Sequence, residues 1–195
     1  IFLFPVDGLL NQYPYISSLF DNLKLSVVHV LQRCDFSMDF TKELSFRESV
    51  KILQYSEKDI YEVEFLWKKL NLYLQLCSKY FSNEMKDKTF QERISEICSK
   101  DALINISIAF VDGMKIGYCI SKILNGVGEI SSIYVEDKFR HIGIGSKLMN
   151  VALDWLDSNY VNAITINVAV GNEKVLSFYN KFNFFERHLV LKRNL

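Results

Sequence analysis

A chain of 195 residues, 49% apolar and 14% aromatic, can bury one good core with room for an appendage, a composition that indicates a packed globular protein and not a disordered one. Its 23 Lys and Arg balance 23 Asp and Glu and are interspersed with them, so no basic field points to nucleic acid. Four scattered cysteines (Cys34, Cys77, Cys98, Cys119) and three dispersed histidines (His29, His141, His188) make no clustered ligand set, so no metal is expected.

Taken in order, residues 1–6 read as a strand, 16–25 as a short helix and 26–33 as a strand. Residues 48–55 read as the first strand of the main domain. Ser56 with Asp59 signals a helix start, and apolar residues three and four apart carry a helix from about 60 to 80. The polar stretch 79–88 breaks it, and 89–98 reads as a second helix. The period then shifts. Strands are expected at 103–111, 116–123 and 129–135, divided by the turns Asp112-Gly113 and Asn125-Gly126-Val127-Gly128. A helix with Leu148, Met149, Val151, Ala152, Trp155 and Leu156 follows. A β-branched strand at 163–170, a helix at 173–182 and a last strand at 184–192 complete the order. Such an order predicts an α/β (α+β) fold: a mixed, mostly antiparallel central sheet with helices on both faces.

Apolar stretches such as 102–111 are too short and too polar to span a bilayer, so no membrane partner is expected. Ile1-Phe2-Leu3-Phe4 lacks the basic flank and cleavage site of a signal peptide. The thiols read as reduced and mostly buried, and a cytoplasmic location is expected. The chain does not begin with Met, so a processed or trimmed product is expected.

The stretch from Glu129 to Leu156 organises the rest. A strand ending Ile133-Tyr134-Val135 leads through Glu136-Asp137-Lys138 into Arg140-His141-Ile142-Gly143-Ile144-Gly145-Ser146 and then the helix. Glycines entering a helix N-terminus suit an anion, because free N–H groups converge there and no Cβ blocks approach. A plain strand–turn–helix packing role is the alternative. The spacing lacks the third glycine of a dinucleotide fingerprint and the Gly-Lys-Ser/Thr of a P-loop.

Arg140-x-x-Gly143-x-Gly145 after a strand resembles the pyrophosphate motif of the GNAT superfamily, the acetyl-CoA-dependent N-acetyltransferases. The resemblance covers residues 48–195, and its order of elements is similar to the GNAT fold. It implies that Ile133 and Val135, flanking Tyr134, hold the pantetheine arm through their backbone. It implies that residues from Arg140 to Ser146 (His141, Ile142, Gly143, Ile144 and Gly145 between them) cradle the phosphates. Asn172 with Phe178-Tyr179 and Phe182-Asn183-Phe184 matches a second family pattern, with Asn183 where the family has glycine. Asn tolerates a left-handed backbone, so the departure is mild. By resemblance Tyr179 protonates the departing thiolate; otherwise it is a core aromatic with a bonded hydroxyl. Glu129 occupies the place of a proton-accepting Glu in some members; otherwise it is a strand-end carboxylate beside the Gly128 turn.

The implied activity is N-acetyl transfer from acetyl-CoA, as co-substrate, to a primary amine by direct attack in a ternary complex, without a metal. Acceptor specificity is expected from the helical pair 60–98 and the hairpin at Asp112-Gly113. The amine-bearing acceptor stays open among small amines, amino acids and protein N-termini. The alternative is a non-catalytic GNAT-like module that binds CoA structurally or dimerises. The sheet edge near the last strand is left to residues 26–33 or to a second subunit, giving a homodimer. Residues 1–46 read as an N-terminal extension beside a 47–195 domain. Leu19-Phe20-Asp21-Asn22-Leu23-Lys24-Leu25 parallels Phe178-Tyr179-Asn180-Lys181-Phe182-Asn183-Phe184, and His29-Val30-Leu31 parallels His188-Leu189-Val190. That is either a remnant of the last third of a preceding GNAT-like repeat or chance similarity.

Overall fold

The computed structural model describes residues 49–193. The expected strands at 1–6 and 26–33, the helix at 16–25 and the internal repeat's first copy lie outside them. Contacts divide the chain after Phe46.

The described unit is built on one five-stranded sheet in the order β1-β2-β3-β4-β5. β1 (Lys51–Tyr55), β2 (Leu103–Val111), β3 (Met114–Leu124) and β4 (Val127–Val135) pair antiparallel, and β5 (Ala163–Ile166) adds to β4 in parallel. Both hairpin turns take the expected form. Asp112 and Gly113 lie at φ +49° and +76°, and Asn125 and Gly126 at +53° and +75°. Two left-handed residues in succession match the twist of the flanking strands. Val127 and Gly128, read as part of the second turn, already belong to β4.

Between β1 and β2 the chain makes a 3-10 turn (Glu57–Val63), α1 (Glu64–Cys77), the short α2 (Ser82–Asp87) and α3 (Phe90–Ile97). Asp59 accepts from the Ser56 amide (3.2 Å) and hydroxyl (3.0 Å), so the Ser–Asp start signal holds. The polar stretch after α1 supplies α2, which sequence reading left without an element. At α3 Thr89 and Glu92 exchange bonds, Glu92 N–H to Thr89 Oγ1 (3.2 Å) and Thr89 N–H to the Glu92 carboxylate (2.7 Å).

Both faces of the sheet are covered. On one, Leu66 and Trp67 of α1 and Phe90, Ile94 and Ile97 of α3 pack with Ile106, Ile108, Tyr118 and Ile120. On the other lies α4 (Ile144–Ser158), whose buried stripe is Ile144, Leu148, Met149, Ala152 and Leu156. Those positions recur at helical spacing, so one face meets the sheet. Neighbours on β3 divide accordingly. Tyr118 faces α1 and α3, while a Cβ on Gly117 would lie 3.2 Å from Leu148 Cδ1.

Three expectations fail at the C-terminal side. β5 stops at Ile166 rather than continuing to 170, because β4 and β5 diverge there. The helix expected at 173–182 is a 3-10 turn (Glu173–Val175) and the short α5 (Leu176–Asn180). The strand expected at 184–192 does not form; residues 184–193 run without regular structure, with Phe185, Leu189, Val190 and Leu191 exposed. A four-residue β5 offers little ladder to extend. The tail is instead drawn toward α2, where Lys192 Nζ meets the Glu84 carboxylate at 2.7 and 2.8 Å and lies over the Phe81 ring.

Leu148 is fully buried under the sheet. Leu148→Ala is expected to lower the unfolding free energy by about 2–5 kcal/mol in urea denaturation, through lost transfer energy and a residual cavity. A loss below about 1 kcal/mol would contradict this packing.

Candidate functional site

The site begins with a mismatch between two strands. β4 and β5 pair only as far as Ile130 and Ile166. On its other edge β4 steps in register from Ser132 opposite Ile120 to Ile130 opposite Ser121, leaving Ser131 as the extra residue of a bulge. Such a residue is unpaired and its strand bends. The bulge and the parting of β4 from β5 therefore coincide, and a gap opens beside residues 131–135.

Backbone direction follows from alternation. The Glu136 N–H donates to the Ile116 carbonyl of β3 (2.9 Å). Polar groups of a strand alternate between neighbours, so the amides of Ile133 and Val135 face the gap, where β5 offers no partner. Two arginines satisfy carbonyls along this edge. Arg93 Nη2 donates to the Ser131 carbonyl (2.5 Å) and Arg140 Nε to that of Val135 (2.9 Å).

The glycine loop lies at the end of β4. His141 and Gly143 both have left-handed backbones, φ +66° and +88°, and Gly143 is the N-cap of α4. Alternating left-handed residues turn successive N–H groups into a concavity that suits an anion. The Lys147 N–H reaches the Gly143 carbonyl (3.0 Å), so those of Ile144, Gly145 and Ser146 lack helical partners. A Cβ on Gly143 would meet nothing within 4 Å, so the space above the loop is open. Ile144 is buried, anchoring the helix start, and the His141 side chain is exposed. Arg140 is occupied. Besides Val135 it pairs with Asp137 (2.7 Å) and stacks on Tyr73 and Tyr134 at 5.3 and 5.4 Å from their centroids. The motif arginine thus braces the loop.

α1 ties the two halves of the gap together. Lys69 pairs with Glu136 before the loop, and the Tyr73 hydroxyl donates to Asn172 Oδ1 (3.2 Å). Gly171, at φ +96°, packs so closely that a Cβ would stand 2.1 Å from the Cys77 carbonyl; only glycine fits.

Between these parts is a cavity of about 220 Å³. Its walls are Ile130 to Ile133 of β4, residues 166–169 of the diverging chain, Asn172 and Tyr179, with Trp67, Asn71, Lys88 and Arg93 opposite. The last four fall within the helical pair 60–98 expected to shape acceptor choice, though sequence did not single out Asn71, Lys88 or Arg93. The Asp112-Gly113 hairpin, expected to shape acceptor choice, is not in the lining. Glu129 is also outside it; its carboxylate pairs with Lys122 across β3 and β4 (3.1 Å).

Tyr179 is 8% exposed on α5, and its hydroxyl has no hydrogen bond among the described residues. Burial holds the phenol well above its ordinary range, and the nearby Cys119 thiol, pushed up to about 12 by its own burial, adds to the rise. Asn183, at φ +62°, makes the left-handed turn after α5 that brings the Phe184 N–H back to the Tyr179 carbonyl (3.3 Å).

A model of the "Acetyltransferase (GNAT) family" matches residues 67–184, more than half of the chain. An N-alpha-acetyltransferase of Sulfolobus acidocaldarius is 31% identical over a stretch that takes in 43% of this chain and 57% of that protein. The chain therefore spans little more than half the length of that relative. A Pyrococcus furiosus protein described as an acetyl transferase superposes at TM-score 0.60 with 18% identity, covering 75% of this chain and 99% of that one. An aminoglycoside N-acetyltransferase in complex with CoA superposes at 0.53, also 18% identical, over 74% and 94%. At such identities the two structures show a shared fold.

A raised pKa keeps the Tyr179 phenol protonated beyond pH 10, so its neutral form persists wherever the protein is folded near neutrality. Tyrosinate absorbance of the wild type minus that of Tyr179→Phe should show a group titrating above about 10. A difference centred at or below about 10 would contradict the burial of the phenol.

Proposed function

This chain belongs to the acetyltransferase (GNAT) family, and we propose that it transfers the acetyl group of acetyl-CoA to a primary amine by direct attack in a ternary complex. The observation that carries this reading is Tyr179: a protonated, unpartnered phenol in the wall of a cavity floored by the bulged strand.

The residues fit the co-substrate. The amides of Ile133 and Val135 face a gap with no strand partner, which suits the amide groups of a pantetheine arm. The free N–H groups of Ile144, Gly145 and Ser146, with the α4 dipole behind them, suit a pyrophosphate. The open space over Gly143 admits one. Acetyl-CoA supplies a thioester carbonyl at which an amine forms a C–N bond while the C–S bond breaks, the amine losing a proton and the thiolate gaining one.

The chain's own groups divide that work. The gap-facing amides of Ile133 and Val135 would be the fixed donors available to a developing oxyanion, at no cost of reorganisation. Tyr179 would hold a proton near the thiolate's position; burial keeps the phenol in its proton-bearing form but also makes it a weaker acid than a free phenol, so delivery to the thiolate runs uphill and is drawn on by departure of the thiol. Glu129, one residue before the cavity wall and paired with Lys122, would take the ammonium proton through a bridging water. Arg140, Tyr73, Lys69 and Asn172 position the loop and the α5 segment relative to each other.

Calorimetry is expected to give saturable acetyl-CoA binding by the wild type, weakened at least about tenfold by Gly143→Glu, whose carboxylate points where the anion belongs. Tyr179→Phe should keep that binding and lower kcat about 10²–10⁴-fold with any amine that supports turnover. Undiminished binding by Gly143→Glu would remove the loop from the cofactor site. Unchanged kcat in Tyr179→Phe would remove the phenol from the reaction.

A further inference from the structure

A second cavity, of about 540 Å³, shares Trp67, Asn71 and Lys88 with the inner one. Taken as one groove through these shared residues, their linings run from Tyr179 and the bulge over α1 to the α2–α3 connection. That is more room than a single small amine requires.

Its charge is one-sided. The groove is lined by Lys68, Lys86, Lys88 and Arg93, with Glu64 the carboxylate among its lining residues. Glu64 is spent on Lys68 (2.7 Å). Behind the wall, Glu96 meets Lys88 (2.6 Å) and Arg93 (3.0 Å), offsetting part of their charge. Lys86 is exposed and has no ion pair among the described residues. Asp87 and Glu92 flank Lys86 and Lys88 outside the lining, so the positive bias belongs to the side chains that face the groove. It is also placed, because Arg93 is fixed to the Ser131 carbonyl at the bulge, where an acceptor's first residues would lie.

The inner wall further suits a peptide backbone. Asn71 Nδ2 donates to the Met85 carbonyl (2.8 Å), which leaves its Oδ1 to accept an N–H from the groove. A polycationic acceptor would meet like charge along this path. A chain with carboxylates following its amine would meet complementary charge, which raises both encounter rate and discrimination.

We propose that the acceptor is a polypeptide N-terminus followed directly by acidic residues, with the free α-amine at Tyr179 and the carboxylates over Lys86, Lys88 and Arg93. This rests on the transferase reading above, of which it names the substrate class.

The test is a comparison of initial rates with acetyl-CoA and three peptides of equal length, Ser-Glu-Glu, Ser-Gln-Gln and Ser-Lys-Lys at their N-termini, together with small amines. The expected kcat/KM is at least about tenfold higher for the acidic peptide than for the basic one, a gap that narrows as salt is added. Lys86→Glu, on an exposed helix position, should close most of that gap while leaving acetyl-CoA affinity unchanged. Equal rates across the three peptides, a preference for the basic one, or transfer to small amines alone would overturn the inference and leave the transferase reading standing. Acetyl-CoA binding without transfer to any amine in the panel would overturn that reading and this one with it.

Discussion

The structure depends on what becomes of backbone hydrogen bonds where a strand loses its neighbour. β4 keeps β3 along its whole length but loses β5 after Ile130. Peptide groups there are partly buried, and leaving them unpaired is costly. The chain answers for the carbonyls with side chains, Arg93 at Ser131 and Arg140 at Val135. The amides of Ile133 and Val135 are left facing the gap, and in the proposed function this unmet bonding capacity of the sheet is what would hold the ligand.

The remaining parts hold that gap at a set width. α4 is locked to the sheet by a stripe of fully buried side chains, so the N–H groups of its first turn point from a rigid mount. α1 bridges the gap from the opposite side, through Lys69 to Glu136 and Tyr73 to Asn172, with the Tyr73 ring also under Arg140. The contact of Gly171 on the end of α1 sets where the chain turns toward α5, and hence where the Tyr179 hydroxyl lies. Ion pairs this exposed contribute little stability singly. Their consequence here is geometric, since they join the loop, α1 and the α5 segment into one frame.

Much of this was legible in the sequence where a local rule governs the backbone. Asp112-Gly113 and Asn125-Gly126 demand left-handed turns and form them; Gly143 demands one at a helix start; Asn183 accepts one where a glycine would be usual. Alternation and helical spacing placed β2, β3, β4, α3 and α4 within a few residues. What failed was settled by tertiary contacts. No pattern in Ile130-Ser131-Ser132 announces a bulge, because alternation on either side looks continuous. The apolar run after Asn183 has strand-forming residues, but a strand needs an edge, and β5 is too short to offer one. Nothing local marks Arg93 or Lys88; the packing of α1, α3 and the segment before α3 brings them to the cavity. Arg140 was legible as part of a motif, but its bonds to Val135 and Asp137 were not.

The central claim is that the unpartnered edge of β4 receives the co-substrate. Amide hydrogen exchange read residue by residue, with and without acetyl-CoA, tests it most directly. The account predicts protection on binding at Ile133 and Val135 and in the first turn of α4, with little change at Tyr134, whose amide already faces β3. Binding that leaves Ile133 and Val135 exchanging as before would contradict it.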